Sequence, residues 1–369
     1  FFQCHFSSAD KHDTLSPYWH FLKGQGLEPD SESVGKPIFS RHFEASLPES
    51  LTKATFLGNQ AADFVRNVGQ ERFVACVSYL EPHPPHTGPL NDMYDPDELS
   101  VGPHFMVKPG ADASLLNRVM AAYYGESEEY GFDLRTEAGW RAVRARYFGN
   151  VTLIDRSIGH ILQALEESGR ANDTIIVFTS DHGDCAGAHR FNQKTVFYEE
   201  SVRVPLIMSF REHNEVPVSD LLVNIGLDIL PTILDFAGIK TPTGLKGRSL
   251  KALVSGEKAK DWRKYIVVEN HITQGEPVDG MEIRIQGRMV RSCDFKYCIY
   301  DRGQNREALF DMKNDIGETI NLAGNPKYNR TLGEHRQLLR DYAKNHNDRL
   351  VDVLLAGDVG PIPFPEENE

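Results

Sequence analysis

The chain has 369 residues, of which 40% are hydrophobic and 25% are charged, and its formal net charge is −13. These proportions are ordinary for a globular protein. The acidic balance argues against a nucleic-acid partner, which favours a basic surface, but not against an anionic small molecule, because a bound metal ion can reverse the local field. No run of apolar residues is long enough for a membrane span, so none is expected.

The five cysteines are spread along the chain and form no CxxC pair. That spacing argues against a zinc cluster, and the odd, sparse set argues against a dense disulfide framework. Cys293 and Cys298 flank a predicted strand and could form a bridge. Free thiols are the favoured interpretation.

The first part of the chain predicts loops, a helix and a strand. The stretch up to about Pro48 is rich in Ser, Pro, Gly and His, which is typical of irregular structure. Residues 51–68 have helical apolar spacing with Thr52 as the N-cap. Residues 73–80 form a short apolar run that favours a buried strand. The prolines in residues 81–86 must end that strand in a loop.

The middle of the chain alternates helices with apolar strands. Residues 88–111 are rich in Pro and Asp and predict a surface loop, and residues 136–168 predict a long amphipathic helix that stops at Gly169. Two buried strands follow, at residues 174–179 and 205–210. A helix is predicted between Asp220 and Ala237. The alternation favours an α/β fold with a mixed, largely parallel sheet sandwiched by helices.

The pattern changes after about Trp262, where short strands are separated by turns. They occupy residues 266–269, 281–285, 288–291 and 296–300, and a helix is predicted from about 328 to 345. This pattern predicts a small antiparallel sheet with one helix. We therefore expect a main α/β domain over residues 1–258 and a C-terminal α+β subdomain over residues 259–369.

The most informative segment, residues 179–184, directly follows the clearest strand. In open α/β sheets, ligands bind beyond the carboxyl ends of the strands. Asp181 offers a hard oxygen ligand and His182 a neutral nitrogen, and Gly183 lets the backbone turn sharply between them and the next residue. The simpler alternative is a helix N-cap, in which Asp181 or Asp184 accepts from free backbone N–H groups. For an isolated Asp-His-Gly that alternative would be favoured.

Residues further along the chain favour the ion site over the helix N-cap. Gly187-Ala188-His189 is followed by Lys194 and then by Tyr198-Glu-Glu-Ser-Val-Arg-Val-Pro-Leu-Ile207. The whole stretch, residues 179–207, resembles the sulfatase family of the alkaline-phosphatase superfamily. There Ser-Asp-His/Asn-Gly, Gly-x-His, Lys and Tyr-Glu-x-Ser-x-Arg-Val-Pro-Leu-Ile follow one another in this order.

Other segments extend the resemblance from about residue 51 to residue 322. Residues 82–85, Pro-His-Pro-Pro, resemble the family's Pro-His-x-Pro loop, and residues 223–234 resemble its Asp-x-x-Pro-Thr-Leu-Leu helix. Residues 291–322 resemble its C-terminal Lys-Tyr, Glu-Leu-Tyr-Asp-Leu and Asn-Leu segments. Ile316 stands where that segment has proline.

The resemblance implies a role for each of five residues. Asp181 and His182 would bind a divalent ion, most often calcium, with magnesium and manganese as alternatives. Lys194 would hold a sulfate oxygen as a point charge. His83 would lie near the sulfate and the leaving-group oxygen, where a proton donor assists ester cleavage. His189 would line the substrate pocket.

Each of these roles has a simpler alternative. Lys194 could be an ordinary solvated lysine, and His83 could be a loop histidine bonded to a backbone carbonyl. A structural role is at least as well favoured for His189, and also for His86. Arg203 is expected to brace the loop through a nearby glutamate, either of the two at 199 and 200, rather than to contact substrate.

Three segments that the family needs do not occur in the sequence. They are an N-terminal Asp-Asp pair, a Cys/Ser-x-Pro-x-Arg segment whose first residue becomes formylglycine, and a Gly-Lys-x-x-His segment. Lys11-His12 is preceded by Asp10 and is assigned no role. We expect that the N-terminal part of such an enzyme lies upstream of Phe1, and a natural pseudoenzyme is the alternative.

Three functions are compatible with these residues. The first is hydrolysis of a sulfate ester, on a sulfated small molecule or a saccharide, with a divalent metal and a formylglycine nucleophile encoded upstream. The second is a phosphodiester or phosphonate monoester hydrolase on the same scaffold, and the third is a non-catalytic relative that binds sulfated glycans. An exported location (periplasmic, extracellular or lysosomal-type) is expected, and the oligomeric state is not readable.

The missing nucleophile generates a first prediction. These 369 residues alone should not hydrolyse a chromogenic aryl sulfate, because no group in them matches the attacking residue. They should also hold an ion at Asp181 and His182 weakly, since calcium prefers about six to eight oxygen ligands. Measurable turnover of the aryl sulfate by the purified chain would contradict this prediction.

Overall fold

The computed structural model describes residues 15–33, 35–125, 127–129, 131–210, 219–257, 261–273 and 284–357. Lys11-His12, Cys4 and part of the strand predicted at 281–285 lie outside these ranges. Contacts divide the chain into two compact units: residues up to Val101 with Ser127–Ile175, and Gly102–Glu126 with Ile176–Glu369. The domain boundary expected at residue 258 stays a prediction.

The first unit is mainly helical. Its elements are α1 (Pro17–Gly24), β1 (Ser31–Ser33), β2 (Lys36–Ile38), α2 (Arg41–Ala45), α3 (Lys53–Asn67), β3 (Glu128–Glu129), β4 (Phe132–Asp133) and α5 (Glu137–Glu167). The strands form two short antiparallel pairs, β1 with β2 and β3 with β4. Helices α3 and α5 confirm the two helices predicted at 51–68 and 136–168.

The ends of α3 and α5 follow the sequence signals. The Thr52 side chain accepts from the Thr55 N–H at 3.3 Å, and the Thr136 side chain accepts from the Gly139 N–H at 3.1 Å. Both are N-caps that satisfy a free donor of the first turn. Helix α5 stops before Gly169, whose φ of +70° suits a residue without a side chain.

Helices α3 and α5 approach closely at one point. The Ser157 hydroxyl donates to the Ala54 carbonyl at 2.6 Å, and a Cβ on Gly58 would lie 2.2 Å from the Ser157 Oγ. Glycine is therefore required at residue 58 by the neighbouring helix. The sequence Asn150-Val-Thr152 matches a glycosylation acceptor, but Asn150 is 4% exposed within α5 and is therefore not a surface site.

The stretch up to Pro48 is more ordered than its composition indicates. Helices α1 and α2 lie within it, capped by the side chains of Ser16 and Ser40. Tyr18, Leu22, Phe39 and Leu47 from this stretch form a core cluster with Phe56 of α3. The prediction of loops was wrong here because helices of eight and five residues are too short to display a periodic pattern.

The strand predicted at residues 73–80 does not form in the described part of the chain. These residues belong to no described sheet, and Val74 is 73% exposed. An apolar run becomes a buried strand only where a partner strand and a covering layer are present. The apolar pattern of residues 73–80 indicates a preference for strand structure, but it does not specify a partner strand.

The second unit contains the remaining elements. They are α4 (Leu115–Gly125), β5 (Ile176–Thr179), α6 (Glu199–Val202), β6 (Leu206–Ser209), α7 (Ile225–Phe236), α8 (Lys251–Val254), β7 (Tyr265–Thr273), β8 (Arg284–Ser292), β9 (Phe295–Tyr300), β10 (Glu307–Asp311), α9 (Asn329–His346) and α10 (Leu350–Leu355). Helix α4 and strand β10 were not anticipated. Among the described residues, no helix has the length and apolar character needed to cross a membrane.

Strands β5 and β6 confirm the two predicted runs, and they form the antiparallel pair of the main sheet that the structure describes. They pair antiparallel, with Ile176 opposite Ser209 and Thr179 opposite Leu206. Every pairing between described strands is antiparallel. A parallel pair needs a crossover, usually through a helix, whereas the segment between β5 and β6 contains only the four-residue α6.

The C-terminal antiparallel sheet and its helix are confirmed. The strand order is β10-β9-β8-β7, and the runs predicted at 281–285 and 288–291 contribute to one strand, β8. Val290, Tyr297 and Leu309 of the sheet pack with Leu339 of α9 in one core. The described cysteines, Cys76, Cys185, Cys293 and Cys298, are all free thiols, as favoured from the sequence.

A buried ion cluster lies between the C-terminal sheet and α6. Lys296 of β9 is fully buried, and its Nζ lies 2.8 Å from Oε1 of Glu199, 2.8 Å from Oε1 of Glu318 and 2.8 Å from the Phe197 carbonyl oxygen. The second oxygen of Glu318 accepts from the backbone N–H of Glu199 at 2.7 Å. One cation thus holds two carboxylates and the chain that leads into α6.

The cluster is electrostatically coupled. Burial alone would lower the pKa of Lys296, but the charges of Glu318 and Glu199 raise it above its ordinary value of 10.5. Burial alone would raise the pKa of Glu199, but Lys296 and Arg291 hold it below its ordinary value. Both groups therefore carry their charge at neutral pH.

Lys296→Met should destabilise the chain by roughly 3–5 kcal/mol, because it leaves the Glu318 carboxylate buried without a cation. The measurement is the free energy of unfolding in denaturant. Lys313→Met is the matched control: Lys313 pairs with Asp294 at 2.7 Å, but its side chain is 65% exposed, so no measurable change is expected. Equal losses in the two variants would contradict the prediction.

The loss of unfolding free energy in Lys296→Met, relative to the wild type, should depend on pH. The raised pKa of Lys296 makes its contribution fully present below pH 10.5 and lost as pH rises through the folded-state pKa. The difference in unfolding free energy between the wild type and Lys296→Met should therefore shrink above pH 10.5. A difference that stays constant into that range would show that the lysine charge is not the cause.

Candidate active site

The loop after β5 places Asp181 and His182 side by side. The Nδ1 of His182 lies 2.7 Å from the Gly183 carbonyl oxygen, and its Nε2 lies 3.6 Å from Oδ2 of Asp181. Because a carbonyl only accepts, Nδ1 carries the proton and Nε2 presents a lone pair toward the carboxylate. The Asp181 side chain is 83% exposed. The pair is thus open to solvent and correctly polarised for a cation.

This donor set fits a divalent ion. Two ligand atoms that bind one ion at about 2.4 Å and at a right angle lie about 3.4 Å apart, close to the 3.6 Å between Asp181 and His182. The bond from Nδ1 to Gly183 fixes the ring, as the outer partners of metal-binding histidines do. Two ligands leave most positions of a calcium ion to other groups.

Gly183 is required for a different reason from the one expected. A Cβ at this residue would lie 2.0 Å from the Glu200 carbonyl oxygen, and the Gly183 N–H donates to the Ser201 carbonyl at 2.7 Å. Close approach of α6, rather than a sharp turn, demands glycine here. The contact joins the start of the loop to its end.

Asp184 closes the loop on itself. Its Oδ1 accepts from the backbone N–H of Ala186 at 2.8 Å and from that of Gln193 at 3.0 Å. Burial raises the pKa of Asp184, while these two bonds and the charges of His182 and Lys194 oppose the increase. Lys194 is half-buried, and its charge acts on the Asp184 carboxyl that closes the loop. Its contact with a sulfate stays a prediction.

His83 lies in the first unit, in the loop that its neighbouring prolines form. Its Nδ1 donates to the Pro84 carbonyl at 2.9 Å, and its N–H donates to the Leu80 carbonyl at 3.1 Å. His83 thus makes the hydrogen bond to a backbone carbonyl that was the simpler alternative to a role in catalysis. This bond orients the imidazole ring of His83. His86 is 1% exposed and packs near Tyr147, with 5.8 Å between ring centroids, which supports its structural interpretation.

The first unit also has a cavity beside His83. Charged residues line it: Arg41, Lys53 and Glu81. Burial raises the pKa of Glu81, although the charge of Lys53 opposes the shift. The sequence analysis did not single out Glu81, because an isolated glutamate before a proline loop carries no motif.

His189 lies in the second unit, in a cluster with His104 and Glu200. It is 2% exposed, and its Nε2 lies 3.5 Å from Oε2 of Glu200. His104 Nδ1 lies 3.8 Å from Oε1 of the same carboxylate. His104 and Glu200 were missed by the sequence analysis, because His104 lies in a Pro-rich loop far from residue 189 along the chain.

The backbone around His189 is strained. Non-glycine residues with positive φ are concentrated in this loop: Ala186 (+42°), His189 (+54°), Arg190 (+61°), Gln193 (+65°) and Thr195 (+95°). Such conformations cost free energy and persist where the surroundings impose them, often at functional sites. The loop is therefore held in one specific shape.

The glutamates of α6 have partners other than the expected Arg203. Burial alone would raise the pKa of Glu200, but its interactions with His189 and His104 hold it below the ordinary value. Glu199 pairs with Lys296 and Arg291, whereas Arg203 is exposed. Among the described residues, Glu199 is held by cations of the C-terminal sheet and Glu200 faces two histidines, so the brace expected from Arg203 stays a prediction for another carboxylate.

Asp184→Ala should destabilise the chain by about 2–4 kcal/mol, because it removes the acceptor of two backbone N–H groups. Asp181→Ala, in the same loop but exposed, is the control and should change stability by no more than about 0.5 kcal/mol. Denaturant unfolding of both variants measures the difference. Similar stabilities for the two variants would contradict the proposed clamp.

Comparison with family models identifies two regions. Residues 19–239, more than half of the chain, match the model described as Sulfatase. Residues 187–345 match the model described as N-sulphoglucosamine sulphohydrolase, C-terminal. The two matches overlap over residues 187–239, which include His189, Lys194 and α6.

Two curated relatives are similar over different lengths. A Delta 4,5-hexuronate-2-O-sulfatase of Bacteroides thetaiotaomicron is 30% identical over 345 residues, which cover 89% of this chain and 68% of the relative. An N-acetylglucosamine-6-O-sulfatase of the same organism is 33% identical over 218 residues, which cover 58% of this chain and 38% of the relative. The chain thus spans only part of each of these proteins.

A solved structure shares the fold. The phosphonate monoester hydrolase of Silicibacter pomeroyi is 26% identical, with a TM-score of 0.69 over 92% of this chain and 71% of that one. Together with the family models, these similarities place the fold in the alkaline phosphatase superfamily. The chain belongs to the sulfatase family of sulfuric ester hydrolases.

Proposed function

We propose that the protein carrying these residues hydrolyses a sulfate ester on a sulfated saccharide. The observation that carries this proposal is the solvent-accessible pair of Asp181 and His182, whose ligand atoms lie 3.6 Å apart. The named relatives act on sulfated hexuronate and N-acetylglucosamine, which supports a saccharide substrate.

Asp181 and His182 would hold a divalent cation, with calcium as the proposed ion. A cation there would supply positive charge that stabilises oxygens of the ester as they become more negative. The bond from His182 Nδ1 to Gly183 fixes the orientation of the imidazole. The Asp184 clamp fixes the loop that carries both ligands.

The remaining three residues act on the ester through charge and protons. Lys194 would hold a sulfate oxygen with its ammonium group. His83 would donate a proton to the leaving oxygen, since its ring is already oriented by the bond to Pro84. His189 would form part of the wall of the substrate pocket. The attacking group would be a formylglycine from a segment that these residues do not contain, and the protein would be exported.

A phosphonate monoester or phosphodiester hydrolase is the second candidate. The phosphonate monoester hydrolase of Silicibacter pomeroyi has the same fold over most of this chain. A tetrahedral phosphonate carries oxygens that a cation and a lysine can stabilise in the same way as those of a sulfate. The residues described here therefore do not separate the two ester classes.

The test compares ester classes on the protein that carries these residues behind a nucleophile segment, matured to formylglycine. The substrates are a 2-O-sulfated unsaturated uronyl disaccharide, a 6-O-sulfated N-acetylglucosamine, an aryl sulfate and an aryl phosphonate monoester. Faster hydrolysis of the sulfated sugars supports the proposal. A higher kcat/KM for the phosphonate would favour the second candidate, and binding of sulfated sugars without turnover would favour a non-catalytic relative.

Single substitutions then test the residue roles. Lys194→Ala should lower kcat by roughly 10²–10³-fold, the scale of losing one preorganised charge-stabilising donor, and His83→Ala by roughly 10²–10⁴-fold. Lys313→Ala, an exposed lysine of the C-terminal subdomain, is the control and should leave kcat unchanged. Wild-type kcat in Lys194→Ala would exclude the proposed contact with the ester.

A further inference from the structure

The cluster of His104, His189 and Glu200 has the composition of a transition-metal site. Its three ligand atoms lie within 4.8 Å of one another. Two imidazoles and one carboxylate form a set that zinc accepts in catalytic sites, where a fourth position stays open. Calcium and magnesium instead prefer oxygen ligands.

The separations within the cluster suit a small ion. Ligand atoms at the corners of a tetrahedron with bonds of about 2.1 Å lie about 3.4 Å apart. The carboxylate of Glu200 lies 3.5 Å from His189 and 3.8 Å from His104. Both distances exceed those of an ordinary N–H···O hydrogen bond, so the contact of His189 with Glu200 is a long polar contact.

His189 has an unsatisfied nitrogen. Its Nε2 is buried and has no hydrogen-bond partner, although it faces the Glu200 carboxylate. A buried polar atom without a partner costs free energy, and an unplaced ion is one recognised explanation. The positive φ of His189 shows that the loop also accepts backbone strain to hold the ring there.

The two rings are held in place before any ion binds. The His189 N–H donates to the His104 carbonyl at 2.9 Å, and the Met106 N–H donates to the Gly187 carbonyl at 2.8 Å. These bonds align the imidazoles, whose planes differ by 4° with 5.5 Å between centroids. Tyr198 stacks on His189 at 3.7 Å.

Packing on the far side of His104 selects which of its nitrogens faces the cluster. A Cβ on Gly317 would lie 1.6 Å from the His104 Nε2, so the ring fits only against a glycine. The Nδ1 then points to Glu200. The arrangement has the features of a preorganised ligand set: fixed rings, a shared carboxylate and a supporting shell.

We propose that His104, His189 and Glu200 form a binding site for a transition-metal ion of the zinc type, separate from the ion pair of Asp181 and His182. The inference does not rest on the proposed hydrolase activity, which assigns its cation to Asp181 and His182, although His189 is also the residue proposed to line the substrate pocket. A bound ion would join His189, in the loop between β5 and α6, to Glu200 of α6 through coordination bonds.

The test uses the purified 369-residue chain after dialysis against chelator. Cobalt(II), a spectroscopic substitute for zinc, is titrated while the visible d–d absorption is recorded, and zinc is then added as a competitor. We expect one equivalent of cobalt to give bands typical of a four- or five-coordinate ion, and zinc to displace it. Absence of such bands, or bands that zinc does not remove, would overturn the proposal.

Substitutions locate the ion. His104→Ala and Glu200→Gln should each weaken cobalt binding by roughly tenfold or more, the scale on which even outer-shell partners act. His182→Ala and the exposed His346→Ala should leave the spectrum unchanged. Loss of the bands in His182→Ala, with retention in the first two variants, would place the ion at the Asp181 pair and refute the proposed site.

Two further measurements separate this result from folding and from catalysis. Far-UV circular dichroism of each variant shows whether it is folded, and Glu200→Gln conserves the shape of the side chain if His104→Ala does not fold. The cobalt spectrum requires no turnover. A chain without hydrolase activity could thus still confirm the metal site, and an active enzyme could still refute it.

Discussion

The second unit depends on the compensation of one buried cation. Lys296 is fully buried and satisfies its charge with Glu199, Glu318 and the Phe197 carbonyl. An unpaired charge there would be too costly to retain, so β9, α6 and the loop containing Glu318 must keep their mutual positions. Holding Glu199 in this position directs the next residue, Glu200, toward His104 and His189. The C-terminal sheet therefore fixes the chain that carries half of the candidate site.

The site loop is a closed structure rather than a flexible connection. Asp184 accepts from the N–H groups of Ala186 and Gln193, and Gly183 admits the backbone of α6 at a distance that no side chain would allow. Each contact limits the conformations of the residues beside it. As a result Asp181 and His182 remain exposed at one end of the loop, while His189 is buried at its far side. The same loop thus contributes to both proposed ion sites, the accessible pair of Asp181 and His182 and the cluster that contains the buried His189.

Membership in the sulfatase family and the local geometry support each other at Asp181 and His182. The family relation rests on similarity over most of the chain, whereas the orientation of the His182 ring rests on a single hydrogen bond to Gly183. A phosphonate monoester hydrolase shares the fold.

The sequence by itself determined the elements whose signals are local. Thr52 and Thr136 mark helix starts, Gly169 marks a helix end, and the order of motifs from residue 179 to residue 207 identifies the family. Tertiary structure decided what depends on partners distant along the chain. The antiparallel direction of β5 and β6, the lack of a strand at residues 73–80 and the meeting of His104 with Glu200 all require residues that no local pattern specifies. The physical reason is that a side chain's intrinsic preference is encoded in its neighbours along the chain, whereas its partner is selected only when the whole unit packs.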